Sequence, residues 1–165
     1  MEQYNPFSLV GKQILVTGAS SGIGKAIAIA CAKMGAKVIA TGRNIERLNE
    51  TLKMMPIGEH SVIAADLTKA EDIESLVTGL PKLDGLVQCA GVGSRVLCKS
   101  ITDVDLQHVF KPNLEAPILL QSAILSKKKI NKAASIVYIA SRAADSPSIG
   151  NAAYSASKGA IISYA

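Results

Sequence analysis

Apolar residues fall along this chain in five short continuous runs. They are Ile14-Leu15-Val16, Val38-Ile39-Ala40-Thr41, Val62-Ile63-Ala64-Ala65, Leu86-Val87-Gln88 and Ile136-Val137-Tyr138-Ile139. Runs of this length, without polar alternation, predict strands covered on both faces. The stretches between them carry apolar residues at helical spacing. Ile23, Ile27, Ala30, Cys31 and Met34 predict one apolar helix face, closed by Gly35. Asn44 caps a second helix with Ile45, Leu48 and Leu52 inward, and Pro56 with Gly58 ends it. Thr68 with Glu71 forms a capping-box pattern for a third helix through Ile73, Leu76 and Val77, closed by Gly79 and Pro81. Thr102 with Asp105 opens a fourth, carrying Val104, Leu106, Val109 and Phe110. Pro112 and Pro117 fall inside its continuation, and each removes an N–H, so a kink is expected near Asn113. A final helix is expected from Ala152 to Ala165. Strands alternating with helices predict an α/β fold, a doubly wound parallel sheet with right-handed crossovers and ligands at the carboxyl ends of its strands.

The junction after the first strand adds chemistry to this pattern. Thr17-Gly18-Ala19-Ser20-Ser21-Gly22-Ile23-Gly24 joins a strand to a helix N-terminus. Unpaired N–H groups and the positive end of the helix dipole favour an anion there. Gly18, Gly22 and Gly24 allow a tight turn, close approach of a diphosphate, and close helix–strand packing. The topology is therefore expected to be of the Rossmann, dinucleotide-binding type.

At 165 residues and 48% apolar content, the chain reads as a single domain over 1–165. It holds no run of 18 apolar residues, so no membrane-spanning helix is expected. Its first residues, Met1 to Pro6, lack the basic-then-apolar layout of a signal peptide. Cys31, Cys89 and Cys98 are odd in number and widely spaced, which fits free thiols in a reducing cytoplasm. With only His60 and His108 besides, no metal site is expected. The net charge of +5 concentrates at Lys127-Lys128-Lys129 and Lys132, a solvated loop or a contact for an acidic carrier. Aromatic content of 4% offers no stacking platform for nucleic acid.

With the tail Tyr154-Ser155-Ala156-Ser157-Lys158 in view, the whole chain resembles the short-chain dehydrogenase/reductase family. The resemblance rests on T-G-x-x-x-G-I-G at Thr17–Gly24, Asp66-Leu67, Ala90-Gly91, Asn113-Leu114, Ser141, and Y-x-x-x-K at Tyr154 and Lys158. It implies a nicotinamide dinucleotide held by Gly18, Ser20, Ser21, Gly22, Ile23, Gly24, Arg43, Asp66, Leu67, Ala90, Gly91, Tyr154 and Lys158. It implies a catalytic set of Asn113, Ser141, Tyr154 and Lys158 that interconverts a carbonyl and an alcohol. Where the family usually has Asn-Asn before Ala-Gly, this chain has Gln88-Cys89. Members also continue past this helix with further strands and a substrate-covering segment, so the C-terminal strands are expected to be absent here.

On this resemblance, Tyr154 exchanges the hydroxyl proton. An ammonium one helical turn away favours a phenolate, and Lys158 also binds the nicotinamide ribose. Ser141 hydrogen-bonds the substrate oxygen, and Asn113 holds a water that links Lys158 to solvent. At the end of the second strand, Gly42 stands where an acidic residue would select NAD(H), and Arg43 follows it. Arginine suits a 2′-phosphate, so NADP(H) is expected over NAD(H); the plain alternative is an ion pair with Glu46 or Glu50. Taken singly, these residues also have ordinary explanations: packing for Tyr154, a surface charge for Lys158, a turn for Ser141, a cap for Asn113. Expected substrates are small carbonyl or alcohol compounds or 3-oxoacyl thioesters. Rival readings are an NADP-binding sensor or scaffold without turnover, and an interaction protein built on the long helices. Those helices, near Thr102 and Ala152, would pair subunits in a homodimer or homotetramer.

Overall fold

The computed structural model describes residues 5–165; residues 1–4, on which the absence of a leader was partly argued, lie outside them. Five strands form one parallel sheet: β1 (Gln13–Thr17), β2 (Lys37–Gly42), β3 (Ser61–Ala64), β4 (Leu83–Gln88) and β5 (Ile130–Tyr138). Their order is β3-β2-β1-β4-β5, so the chain winds outward from β1 on one side and from β4 on the other. The doubly wound fold is therefore present, with its switch point between β1 and β4.

Helices α1 (Gly22–Lys33) and α2 (Ile45–Lys53) cover one face, while α3 (Ala70–Gly79) and α5 (Ala116–Ser126) cover the other. Alternate strand residues serve the two cores. Ile14, Val16, Val38 and Ala40 pack with α1 and α2, whereas Leu15, Ile39 and Leu86 pack with α3 and α5. Helix α4 (Asp103–Phe110) runs through a π turn at Lys111–Glu115 into α5, and α6 (Ala152–Tyr164) packs against α4 and that turn.

Three local expectations change, and a fourth takes a definite form. The inward face of α1 is Gly24, Ala28 and Ala32 rather than the large residues, and Ile23 is 62% exposed. The reason is distance: a Cβ on Gly24 would lie 2.3 Å from the Gly18 carbonyl oxygen, so only small residues fit where helix meets strand. The Thr68–Glu71 capping box does not form, and α3 starts one residue beyond Lys69, which makes no side-chain cap bond. Instead the Thr68 hydroxyl donates to Asp66 Oδ1 at 2.8 Å and the Asp66 N–H donates to Asp72 Oδ2 at 2.7 Å. The helical irregularity expected near Asn113 takes the form of the π turn, which accommodates Pro112 without ending the helical path. Strand β5 begins six residues earlier than its apolar run, and its pairing to β4 slips between Leu83 and Gly85. The Asn44 cap and the Thr102–Asp105 box form as expected.

Candidate active site

Two loops meet at the switch point, and a threonine joins them. Thr17, fully buried at the end of β1, accepts the N–H of Cys89 at 2.9 Å and of Ala90 at 3.0 Å through Oγ1. The loops run so close that a Cβ on Gly18 would lie 2.9 Å from the Ala90 Cα. Gly22 has the opposite requirement. Its φ is +53°, and the space above it is open. Ser21 precedes α1 without a side-chain cap bond, so the first-turn N–H groups of α1 face that space without a side-chain acceptor. This is a cradle fit for a diphosphate.

A crevice of about 380 Å³ opens over the carboxyl ends of the strands. Gly18, Ser20, Ser21, Gly22, Ile23 and Gly24 line it, together with Arg43, Asp66, Leu67, Ala90, Gly91, Tyr154 and Lys158. All thirteen residues expected to hold a dinucleotide thus border one space. Among the described residues, Arg43 forms no ion pair with Glu46 or Glu50. Burial alone would raise the Asp66 carboxyl, but two hydrogen bonds from Thr68, with Arg43 and Lys69, hold it below its ordinary value.

Tyr154 and Lys158 share a face of α6, one turn apart. Lys158 is only 7% exposed, and its Nζ donates to the Ile139 carbonyl oxygen at 2.7 Å. Burial lowers the Lys158 pKa, and the neighbouring Cys89 thiol partly opposes that shift. The Cys89 thiol itself is raised by burial against the Lys158 charge. A second phenol, Tyr138 at the end of β5, donates to Gln121 Oε1 and is pushed up to about 12 by burial and by Tyr164. It does not line the crevice.

Asn113 and Ser141 lie outside the crevice lining. Asn113 is 2% exposed and clamps the loop after β4. Its Oδ1 accepts the Val92 N–H at 2.8 Å, while Nδ2 donates to the Val92 carbonyl at 2.9 Å and to Ser157 Oγ at 3.1 Å. Both amide protons are committed to protein atoms, so its side chain has none to give a water. A Cβ on Gly91 would meet Asn113 Oδ1 at 2.9 Å and Lys158 Nζ at 3.7 Å, which places these three groups back to back. Ser141 accepts the Ala143 N–H through Oγ at 3.1 Å and caps the short turn Arg142–Ala144.

Sequence reasoning missed several parts. The Thr17 tie and the Ser157 support of Asn113 are long-range polar contacts with no periodic signature. Gln88, in place of the family's asparagine, donates Nε2 to the Pro117 carbonyl at 2.9 Å and fixes β4 to α5. The lysine cluster lies before β5, at the opposite end of the strands from the crevice. There the Lys127 ammonium donates to Glu74 and Thr78, and Lys129 donates to the Thr78 and Leu80 carbonyls. Half of that cluster therefore closes the end of α3. Among the described residues no three metal-ligating side chains gather, and no helix is long and apolar enough to cross a membrane.

Known proteins agree with this geometry. The short chain dehydrogenase family model matches residues 12–165. The 3-oxoacyl-(acyl-carrier-protein) reductase FabG of Rickettsia felis is 36% identical over 154 residues, covering 93% of this chain and 64% of that protein. An L-xylulose reductase of Caenorhabditis elegans is 34% identical over 161 residues, covering 94% of this chain and 63% of its own length. The solved structure of a short chain dehydrogenase from Shigella flexneri superposes with a TM-score of 0.87 at 30% identity, over 98% of this chain and 68% of that one. One from Escherichia coli CFT073, complexed with NADPH, gives 0.86 at 30% identity, over 97% of this chain and 71% of that one. This chain thus spans about 64% of the length of the curated reductases it matches. A glycine cradle at the sheet's switch point, a crevice lined by Tyr154 and Lys158, and a family match over nearly the whole chain together make this protein a member of the short-chain dehydrogenase/reductase family.

Proposed function

We propose that the protein is an NADP(H)-dependent oxidoreductase that interconverts a carbonyl and a secondary alcohol. The observation that carries this reading is that the glycine cradle and the Tyr154–Lys158 pair line one crevice. The dinucleotide, when bound, supplies or accepts the hydride. Every other task falls to this chain's side chains. The first-turn N–H groups of α1 hold the diphosphate. Arg43, exposed and in no ion pair among the described residues, takes the 2′-phosphate. Asp66 meets the adenine edge beside Leu67, and Ala90-Gly91 let the backbone lie against the adenosine ribose.

In carbonyl reduction, Tyr154 gives its hydroxyl proton to the substrate oxygen, and in alcohol oxidation it takes that proton back. Lys158, its ammonium anchored on the Ile139 carbonyl, holds the ribose. Ser141 donates its hydroxyl proton to the substrate oxygen while its lone pair keeps the Ala143 N–H. Asn113 is a positioning residue, fixing the loop that carries Gly91 and Val92. Residues 1–165 belong to one dinucleotide-binding domain that works in the cytoplasm, in a homodimer or homotetramer paired through α4, α5 and α6. Val104, Leu106, Leu119, Leu125, Ile162 and Tyr164 are exposed apolar residues on those helices.

The substrate is a small carbonyl compound or a 3-oxoacyl thioester, the latter being the class named for some of the relatives. Following NADPH oxidation by its absorbance against a panel of ketones and 3-oxoacyl thioesters tests this directly. Consumption of NADPH with at least one of them is the expected result. A full-length protein that binds NADPH and consumes none would instead be a cofactor-binding sensor or scaffold.

A further inference from the structure

A second cavity, of about 370 Å³, lies beside the crevice and is lined by Gly93, Ser94, Arg95, Asn151 and Tyr154. Gly93 and Tyr154 border both spaces, so the phenol stands where the two meet. One wall comes from the loop after β4 and the other from the start of α6. A hydrogen bond from the Val96 N–H to the Gly150 carbonyl, at 2.8 Å, staples these walls next to Arg95 and Asn151. Asn151 precedes Tyr154 by three residues and lies on the same side of the helix start. Its amide caps nothing, and Arg95 forms no ion pair among the described residues. Arg95 is the one charged residue of the five that line this space.

We propose that this cavity is the substrate's seat and that Arg95, helped by Asn151, binds an anionic group carried by the substrate. The substrate class is then a short carbonyl or hydroxy compound bearing a carboxylate or a phosphate. A guanidinium takes either group through paired N–H donors, and the asparagine amide adds a neutral donor. A neutral ketone or thioester makes no use of that charge. The inference rests on the reading of Tyr154 as the proton donor, which places the reacting oxygen at the border of the two spaces.

The test compares matched pairs in the full-length protein with NADPH: 3-oxobutanoate against its methyl ester, and dihydroxyacetone phosphate against dihydroxyacetone. Wild type is expected to favour the anionic member of one pair by about ten-fold or more in kcat/KM, chiefly through KM. The pair that responds separates carboxylate from phosphate. Arg95→Met is expected to remove most of that preference, and Arg95→Lys to keep part of it. Equal kcat/KM within both pairs, or a preference that survives Arg95→Met, overturns the proposal. Calorimetric binding of 3-hydroxybutanoate and glycerol 1-phosphate to the NADPH complex reads the same contact without turnover. Binding of at least one that weakens in Arg95→Met supports the proposal, and binding indifferent to Arg95→Met overturns it. Turnover that persists in Tyr154→Phe removes the proton-donor reading instead, and does so independently of the Arg95 comparison.

Discussion

Thr17 ends β1 and Ala90 lies on the loop after β4, and the Thr17 hydroxyl oxygen holds the two together at 3.0 Å. Because the same oxygen also accepts the Cys89 N–H, its loss orphans two backbone donors in a half-buried loop. Each orphan costs about 1–3 kcal/mol, so Thr17→Val is expected to destabilise the fold by about 2–4 kcal/mol. Thr17→Ser, which keeps the acceptor, is expected to lose little of that. Denaturant midpoints of the three proteins check this; a Thr17→Val midpoint equal to wild type would show that the tie carries no load.

The glycines of the cradle separate by mechanism. Gly24→Ala drives a Cβ to within 2.3 Å of backbone, so it is expected to cost about 2–3 kcal/mol or more. Gly22→Ala meets only open space but must hold φ at +53°, at a cost of about 1–2 kcal/mol. Gly24→Ala should therefore show the larger loss of thermal stability. Gly22→Ala should instead show weakened NADPH binding in a protein that still folds. Calorimetric unfolding and NADPH titration of both variants distinguish the two.

Burial of Lys158 sets a pH signature. Its folded pKa lies below the ordinary 10.5, because burial disfavours the charged form. Between the folded value and 10.5, the unfolded chain binds the additional proton, so this group makes stability rise with pH across that window. At neutral and acid pH the burial penalty is present in full. The stability of wild type minus that of Lys158→Met is therefore expected to increase as pH approaches 10.5. Because the Cys89 thiol and the Lys158 ammonium act on each other, both proteins carry Cys89→Ala in this comparison. A flat difference across alkaline pH, measured by denaturant unfolding, would contradict this.

On the proposed function, Arg43 selects the cofactor. Wild type is expected to bind NADPH more tightly than NADH, and Arg43→Ala to weaken NADPH by about ten-fold or more. NADH binding should change little. Dissociation constants for the two cofactors, measured on both proteins by fluorescence titration, check this. Parallel losses for NADPH and NADH would show that Arg43 contacts something common to both.

Much of this architecture could be read before any coordinates, because its signals are local. Apolar runs marked all five strands, and the spacing Tyr154 to Lys158 put two side chains on one helical face. What escaped depends on contacts between distant segments. The inward face of α1 is set by how closely the helix meets Gly18, which no periodicity records. The first half of β5, Asn131 to Ala134, is polar or small and joins the sheet only through an irregular pairing to β4. Asp66 and Asp72 displaced the expected cap of α3 because their carboxylates offered a competing set of hydrogen bonds. Asn113 was recognisable as special beside Pro112, but its grip on Val92 and Ser157 belongs to the folded chain alone.

The most direct measurement is turnover and NADPH affinity of Tyr154→Phe beside wild type in the full-length protein. Loss of the phenol proton should reduce kcat by about 100-fold or more, the range of general acid–base catalysis, while NADPH still binds within a few-fold of wild type. Undiminished kcat in Tyr154→Phe would contradict the account, because the proton would then come from elsewhere.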